Sequence, residues 1–388
     1  MKTKAAVLTQ CGLPRPFATS KPIHILELDL DPPGEGEVLV KVGGAGLCHS
    51  DLSLVNGDRP RPTPVVLGHE GSGEIVEVGK GVKDVKPGDH VCFTFNVSCG
   101  RCRRCLEGRP YICERSITPR AAGQLLGGQH RLHRDGKPVN HQSGISCYAE
   151  YAVVDRGSVV VIDKSLPLDL AAVIDKSLPL DLAALFGCAV VTGVGAVVNT
   201  AQIRVGSTVA IVGLGGVGLS GLLGAVLAGA SQIVAIDLSD DKLGLARQLG
   251  ATHTVNAKDA DHVKQVRDLT GGGVDYAFDL AGTIKSMETA YLVTRWGGTT
   301  VSAGLSPIGA NFAFQQSGLV SEEKTIKGSY MGSCVPVRDI PRFISLYQQG
   351  KLPVDRMVSK RIGFDEVNEG FDRLQEVATV RQILVPNG

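Results

Sequence analysis

The chain has 388 residues, more than one hydrophobic core ordinarily supports, so two domains of ordinary size are expected. Hydrophobic residues make up 43% and charged residues 20%, a globular rather than a disordered composition. Lys plus Arg (40) almost cancels Asp plus Glu (39), and the basic block at residues 101–109 lies within a run of cysteines, which argues against nucleic acid as a partner.

The N-terminal Met1-Lys2-Thr3-Lys4 is followed by a short apolar run at residues 5–8, too short for the apolar core of a signal peptide. The ten cysteines are therefore read for a reducing, cytoplasmic compartment, where metal or catalytic use is expected before disulfides. Short strands are predicted at residues 5–8, 37–42, 73–78, 90–95 and 148–162, separated by Pro and Gly turns, which describes a compact β body. From Thr208 the pattern changes to strand alternating with helix. Strands are predicted at 208–213, 232–237, 253–256, 274–280, 298–303 and 324–330, with a helix at 240–249 that Ser239 can cap and Gly250 can end. This alternation implies a parallel, doubly wound sheet. The uncharged run 205–236 is broken by Gly213, Gly215, Gly216 and Gly218, so it is read as a buried strand-turn-helix-strand unit and not as a membrane span. Two amphipathic helices follow, one carrying Ile340, Phe343, Ile344 and Tyr347, the other Val367, Phe371 and Leu374.

One tandem repeat stands out, because residues 161–172 recur unchanged at 173–184. Copies this short and this identical are a duplication rather than a solenoid. One copy is expected to take the path from the strand near Ile162 towards Cys188, and the other to loop out at the surface at modest entropic cost.

Three groups of residues carry chemistry. Cys99-x-x-Cys102-x-x-Cys105-x7-Cys113 can wrap one tetrahedral zinc with no open position, the description of a structural site. Gly213-Leu-Gly215-Gly216-Val217-Gly218 follows a Val- and Ile-rich strand and opens a helix, so its backbone can approach a pyrophosphate at the helix N-terminus. Asp237 closes the next strand, where a carboxylate can bind ribose hydroxyls and repel a 2′-phosphate, which favours NAD over NADP. Lys242 either reaches the ribose or lies solvated on its helix. Cys48, His69 and Cys188 make a third set, two thiolates and an imidazole that leave a fourth zinc position for water or substrate. Cys188 belongs to it by its place just before Thr192 and Gly193; alone it would read as core.

Gly46-Leu-Cys-His-Ser-Asp51, Gly68-His-Glu70, the four-cysteine lobe, Gly187-Cys188 and the glycine fingerprint occur in an order that resembles the zinc-dependent medium-chain alcohol dehydrogenases. The likeness covers essentially the whole chain, the duplication excepted. It implies an α/β plus β architecture: a GroES-like catalytic domain at 1–189, with its zinc lobe at 96–114, completed by 332–388, and an inserted Rossmann cofactor domain at 190–331. It also implies two zinc ions per chain, the catalytic one held by Cys48, His69 and Cys188, with Asp51 behind it, Glu70 beside it and Arg381 near Glu70 and the pyrophosphate. His49 matches the position that touches the cofactor phosphates, and Thr192 the one beside the nicotinamide. The implied reaction moves hydride between a primary alcohol or its aldehyde and NAD, with Ser50 as the hydroxyl through which the proton leaves. Many relatives extend that relay to a histidine where this chain has Ser53, so here the relay is expected to end in solvent. The implied assembly is a homodimer or homotetramer through the Rossmann domain, with no nucleic-acid or membrane partner.

Ser50 and the apolar Phe95 suggest room for a bulky or aromatic alcohol. A thiol-adduct formaldehyde dehydrogenase, with Arg115 and Arg120 for an anionic carrier, is the enzymatic alternative. A catalytically silent zinc- and NAD-binding structural or sensing module is the alternative of another class.

Overall fold

The computed structural model describes residues 1–162, 178–374 and 380–387, which fall into two units. The first comprises Met1–Cys188, Val335–Gly350 and Val358–Gly388, and the second Ala189–Cys334 and Lys351–Met357. The return of the chain is thus divided, where a single block at 332–388 was expected: Lys351–Met357 groups with the second unit.

In the first unit five strands close a barrel in the order Lys2–Leu8, Ile23–Leu30, Leu132–Arg134, Lys137–His141 and Val65–Val66. A sheet runs in the order Val159–Val161, His90–Phe93, Gly71–Val78, Glu37–Gly46, Arg381–Leu384, Val358–Ile362, and Tyr151–Asp155 also pairs with Glu37–Gly46. Side chains of Glu37–Gly46 alternate between two cores: Val38, Val40 and Val42 join Phe93, Tyr148 and Phe371, while Leu39 joins Val7, Leu28 and Val66. A strand buried on both faces reads as a continuous apolar run, which explains Val38-Leu39-Val40. Burying each such side chain contributes about 1.5–3 kcal/mol, so a charge at Val40 would break the centre of this unit.

The second unit is built on a six-stranded parallel sheet in the order His253–Asn256, Gln232–Asp237, Thr208–Val212, Val274–Asp279, Thr294–Ser302, Thr325–Gly328. The order reverses between Thr208–Val212 and Val274–Asp279, the switch point at which a doubly wound sheet opens a crevice. The helix Asp240–Gln248 begins as expected, with Ser239 Oγ accepting from Lys242 N at 3.2 Å, and Gly250 follows at φ +112°. The run 205–236 divides into strand, the helix Gly216–Leu227 and strand. Among the described residues no single helix is long and apolar enough to cross a membrane.

The predicted strand at 148–162 is two strands, Tyr151–Asp155 and Val159–Val161, separated by a turn at Arg156–Ser158. They pair with different neighbours, Glu37–Gly46 and His90–Phe93, so the chain must bend between them. Of the duplicated segment, the end of the second copy forms the short helix Leu180–Ala183. Leu180 lies over Gly43, where a Cβ would stand 2.6 Å from it, and Asp181 pairs with Arg361 at 2.5 Å. The expected surface loop falls on residues 163–177, outside the described residues.

Candidate active site

The strand Glu37–Gly46 delivers Cys48 to the start of the helix His49–Val55. Cys48 Sγ accepts from Ser50 N at 3.5 Å, and Asp51 Oδ2 accepts from Cys48 N at 3.2 Å, a reciprocal cap that fixes the thiol at the helix N-terminus. His69 and Glu70 occupy the turn before Gly71–Val78, and Cys188 follows the turn Ala184–Gly187. One ligand atom from each of Cys48, His69, Glu70 and Cys188 lies within 4.8 Å of the others, and all four residues are buried. Cys188 Sγ stands 3.5 Å from His69 Nε2, while His69 Nδ1 stands 2.8 Å from Asp51 Oδ1. A proton on Nδ1 donated to Asp51 leaves the Nε2 lone pair facing the thiols.

The groups of this set shift one another's protonation. A hydrogen bond from Cys188 pulls the Cys48 thiol well below its ordinary value, and the same bond together with burial pushes Cys188 well above it. Burial alone would lower His69, but the Asp51 carboxylate and Cys48 outweigh it and hold the ring well above 6.5. Burial pushes Glu70 up to about 7 against the pull of the Arg381 guanidinium. Neither Glu70 oxygen has a hydrogen-bond partner; Arg381 Nη1 is 3.4 Å from Oε2 and donates to the Leu47 carbonyl at 3.0 Å. Two thiols, an imidazole and a buried carboxylate with unsatisfied oxygens fit a zinc ion.

The second cluster sits in the lobe. Cys99, Cys102, Cys105 and Cys113 also place their sulfurs within 4.8 Å of one another. Backbone amides of Cys99 and Cys102 donate to Cys113 Sγ and Cys99 Sγ at 3.4 and 3.3 Å. Backbone hydrogen bonding, first at Cys105, pulls Cys102 down to about 6, while burial pushes Cys105 up to about 12. A closed four-sulfur set of this kind fits a structural zinc.

In the second unit Gly213 sits at φ +90°, and a Cβ on Gly218 would stand 1.7 Å from the Gly213 carbonyl, so only glycine allows this turn. Gly215, which caps the helix Gly216–Leu227, has nothing within 4 Å of its Cβ position. That leaves open space before the unpaired first-turn amides of Gly216, Val217 and Gly218, a cradle that fits a pyrophosphate. Asp237 ends its strand with Oδ2 accepting from Leu214 N at 2.6 Å and Oδ1 from Ser239 N at 3.0 Å. Lys242 lies half-buried in the first turn of the next helix, and Thr192 is buried within Ala189–Gly195.

Residues 34–164 match the alcohol dehydrogenase GroES-like domain, and residues 216–349 match the zinc-binding dehydrogenase domain. The chain is 38% identical over 389 residues to an NDMA-dependent alcohol dehydrogenase of Amycolatopsis methanolica, covering 99% of each chain. It is 35% identical over 395 residues to S-(hydroxymethyl)glutathione dehydrogenase of Paracoccus denitrificans, covering 99% of this chain and 100% of that one. The chain belongs to the zinc-dependent medium-chain alcohol dehydrogenase family. Benzyl alcohol dehydrogenase from Acinetobacter calcoaceticus shares its fold with a TM-score of 0.88 and 33% identity over 99% of both chains.

Other site residues of this dehydrogenase family member are placed as follows. His49 is exposed and Ser50 half-buried on the first turn after Cys48. Ser53 Oγ donates to the His49 carbonyl at 2.9 Å. Phe95 meets the His69 ring edge-on, with centroids 5.8 Å apart. Sequence reasoning missed Gln142 and Tyr148: Gln142 Nε2 donates to Asp51 Oδ1 at 2.5 Å, and Tyr148 Oη stands 2.8 Å from Asp51 Oδ2. No spacing signal marks partners 91 and 97 residues away.

Proposed function

We propose that this chain is an NAD-dependent dehydrogenase of primary alcohols, bulky or aromatic ones included, and of the corresponding aldehydes in reverse. The observation that carries it is the buried set of Cys48, His69 and Cys188 beside the unsatisfied carboxylate of Glu70. Cys48, His69 and Cys188 would hold a catalytic zinc, and Cys99, Cys102, Cys105 and Cys113 a structural one. When bound, the catalytic zinc supplies a Lewis acid for the substrate oxygen and NAD supplies the hydride acceptor. Asp51 keeps the His69 ring in one tautomer, and the Glu70–Arg381 pair sets the charge beside the thiols. Gly213, Gly215, Gly216, Val217 and Gly218 receive the pyrophosphate, Asp237 and Lys242 the ribose, and His49, Thr192 and Arg381 complete the cofactor contacts.

Ser50 takes the proton of the alcohol and passes it on. Ser53 spends its hydroxyl proton on the His49 carbonyl and is no base near neutral pH, so the relay ends in solvent. Ser53→His is expected to add an inflection near about pH 6.5 to the rate profile; an unchanged profile counts against this relay. The charge of Asp237 supports NAD over NADP. Phe95 against His69 and the likeness to a benzyl alcohol dehydrogenase support an aromatic substrate. A like-subunit assembly is supported by the edge strand Thr325–Gly328 and the exposed Trp296 on the strand beside it, and the six cysteines gathered in two metal-ligand clusters support a reducing cytoplasm.

The likeness to S-(hydroxymethyl)glutathione dehydrogenase and the exposed Arg115 favour a thiol-adduct formaldehyde dehydrogenase as the second reading. Zinc content and dinucleotide reduction on one sample test the choice. Two zinc ions per chain and faster reduction of NAD than NADP by benzyl alcohol are expected. Faster turnover of formaldehyde with glutathione selects the second reading, and bound NAD without turnover selects a silent binding module.

A further inference from the structure

Gln142 follows the strand Lys137–His141, and Gln142-Ser143-Gly144 reads as ordinary turn chemistry. Its side chain is nevertheless buried, 6% exposed, and both ends of its amide are bonded to the groups on which His69 is mounted. Oε1 accepts from Gly68 N at 2.6 Å, at the residue before His69. Nε2 donates to Asp51 Oδ1 at 2.5 Å, the same oxygen that meets His69 Nδ1 at 2.8 Å. The backbone of Gln142 is itself anchored: Gln142 N donates to Ser146 Oγ at 3.0 Å, and Ser146 Oγ donates to the Val66 carbonyl at 2.8 Å. Only glycine fits at position 68, since it sits at φ +97° and a Cβ there would stand 2.4 Å from Tyr148 Cδ1.

We infer that Gln142 is a positioning residue of the metal centre, a bridge from the backbone that carries His69 to the carboxylate that orients its ring. The inference rests on the zinc reading of Cys48, His69 and Cys188. A ligating ring has two freedoms, displacement with its backbone and rotation about its side-chain bonds. Asp51 limits the second; the Gln142 amide couples it to the first, so ring and mount move together or not at all. The other Asp51 oxygen is held by Cys48 N at 3.2 Å and faces Tyr148 Oη at 2.8 Å, so removing Gln142 leaves the carboxylate in place with Oδ1 held by His69 Nδ1 alone. It also leaves Gly68 N without its buried acceptor. Glutamate at this position keeps an acceptor for Gly68 N but offers Asp51 no amide donor, and so breaks the bridge at one end.

Zinc-loaded wild type, Gln142→Ala and Gln142→Glu are challenged with a chelator, and zinc release is followed with a metal-sensitive dye, the lobe zinc serving as internal control. Both variants are expected to release one of two zinc ions about 10-fold faster than wild type at about pH 8, with the lobe zinc unchanged. Wild-type release rates in both variants overturn the inference and leave the zinc reading standing. A wild-type chain holding zinc in the lobe alone overturns both. If Gln142→Ala does not fold, Gln142→Glu decides: faster release of the buried zinc with the lobe zinc unchanged supports the bridge, and wild-type release overturns it.

Discussion

Cys99, Cys102, Cys105 and Cys113 come from one short stretch of chain, whereas Cys48, His69, Glu70 and Cys188 come from three separated ones, yet each set brings its ligand atoms within the same 4.8 Å. The first lobe has few apolar residues to hold it; Leu106 is 75% exposed, and its sulfurs meet one another and their own backbone. The second set is sunk in the core, with Asp51 and Arg381 packed behind it at 0% and 3% exposure. In the lobe the metal would organise the chain; at the buried set the chain organises the metal.

Substitutions break that contrast in order of effect. Cys188→Ser should lower kcat/KM by roughly 10³-fold or more while the lobe zinc and the thermal midpoint stay near wild type, because a Lewis acid supplies several kcal/mol to the barrier. Zinc analysis and steady-state rates check it, and retained turnover would remove Cys188 from the site. Cys102→Ser should do the reverse, losing the lobe zinc and lowering the midpoint by about 5 °C or more, read by calorimetry, with turnover per folded chain preserved. Phe95 precedes the lobe in sequence but touches His69, so Phe95→Ala should raise KM for benzyl alcohol by about 10-fold with kcat kept, and Leu106→Ala should change neither.

The smallest effect lies away from both clusters. Burial, with the nearby His130, His133 and Arg131, holds His141 down to about 3, while the unfolded chain takes up this proton near about 6.5. The unfolded state therefore binds more protons between those values. Stability from this group is intact above about pH 6.5 and falls by about 1 kcal/mol per unit as pH drops below it. Denaturation by urea across that window should show a shallower slope in His141→Gln; an unchanged slope would remove His141 from the acid response.

Much of the site was legible in the residues. The four-cysteine lobe and the turn from Gly213 to Gly218 are local, because metal geometry and tight backbone approach constrain residues a few positions apart. The helix Asp240–Gln248 was legible for the same reason, with Ser239 capping one end and Gly250 following the other. The strand Ile23–Leu30 was missed although its alternation, Ile-His-Ile-Leu-Glu-Leu-Asp-Leu, carries the signal. The pairing of Val358–Ile362 with Arg381–Leu384 carries none, since two short parallel strands are defined only by the sheet that receives them.

By itself the sequence determined the chemistry available: which thiols can share a metal, and where a pyrophosphate can approach. Only the tertiary structure decided how that chemistry is held. Arg381 reaches Leu47 across 334 residues, and Gln142 and Tyr148 reach Asp51 across 91 and 97. Bonds over such separations are fixed by the strands that pack between them, and no local spacing encodes them.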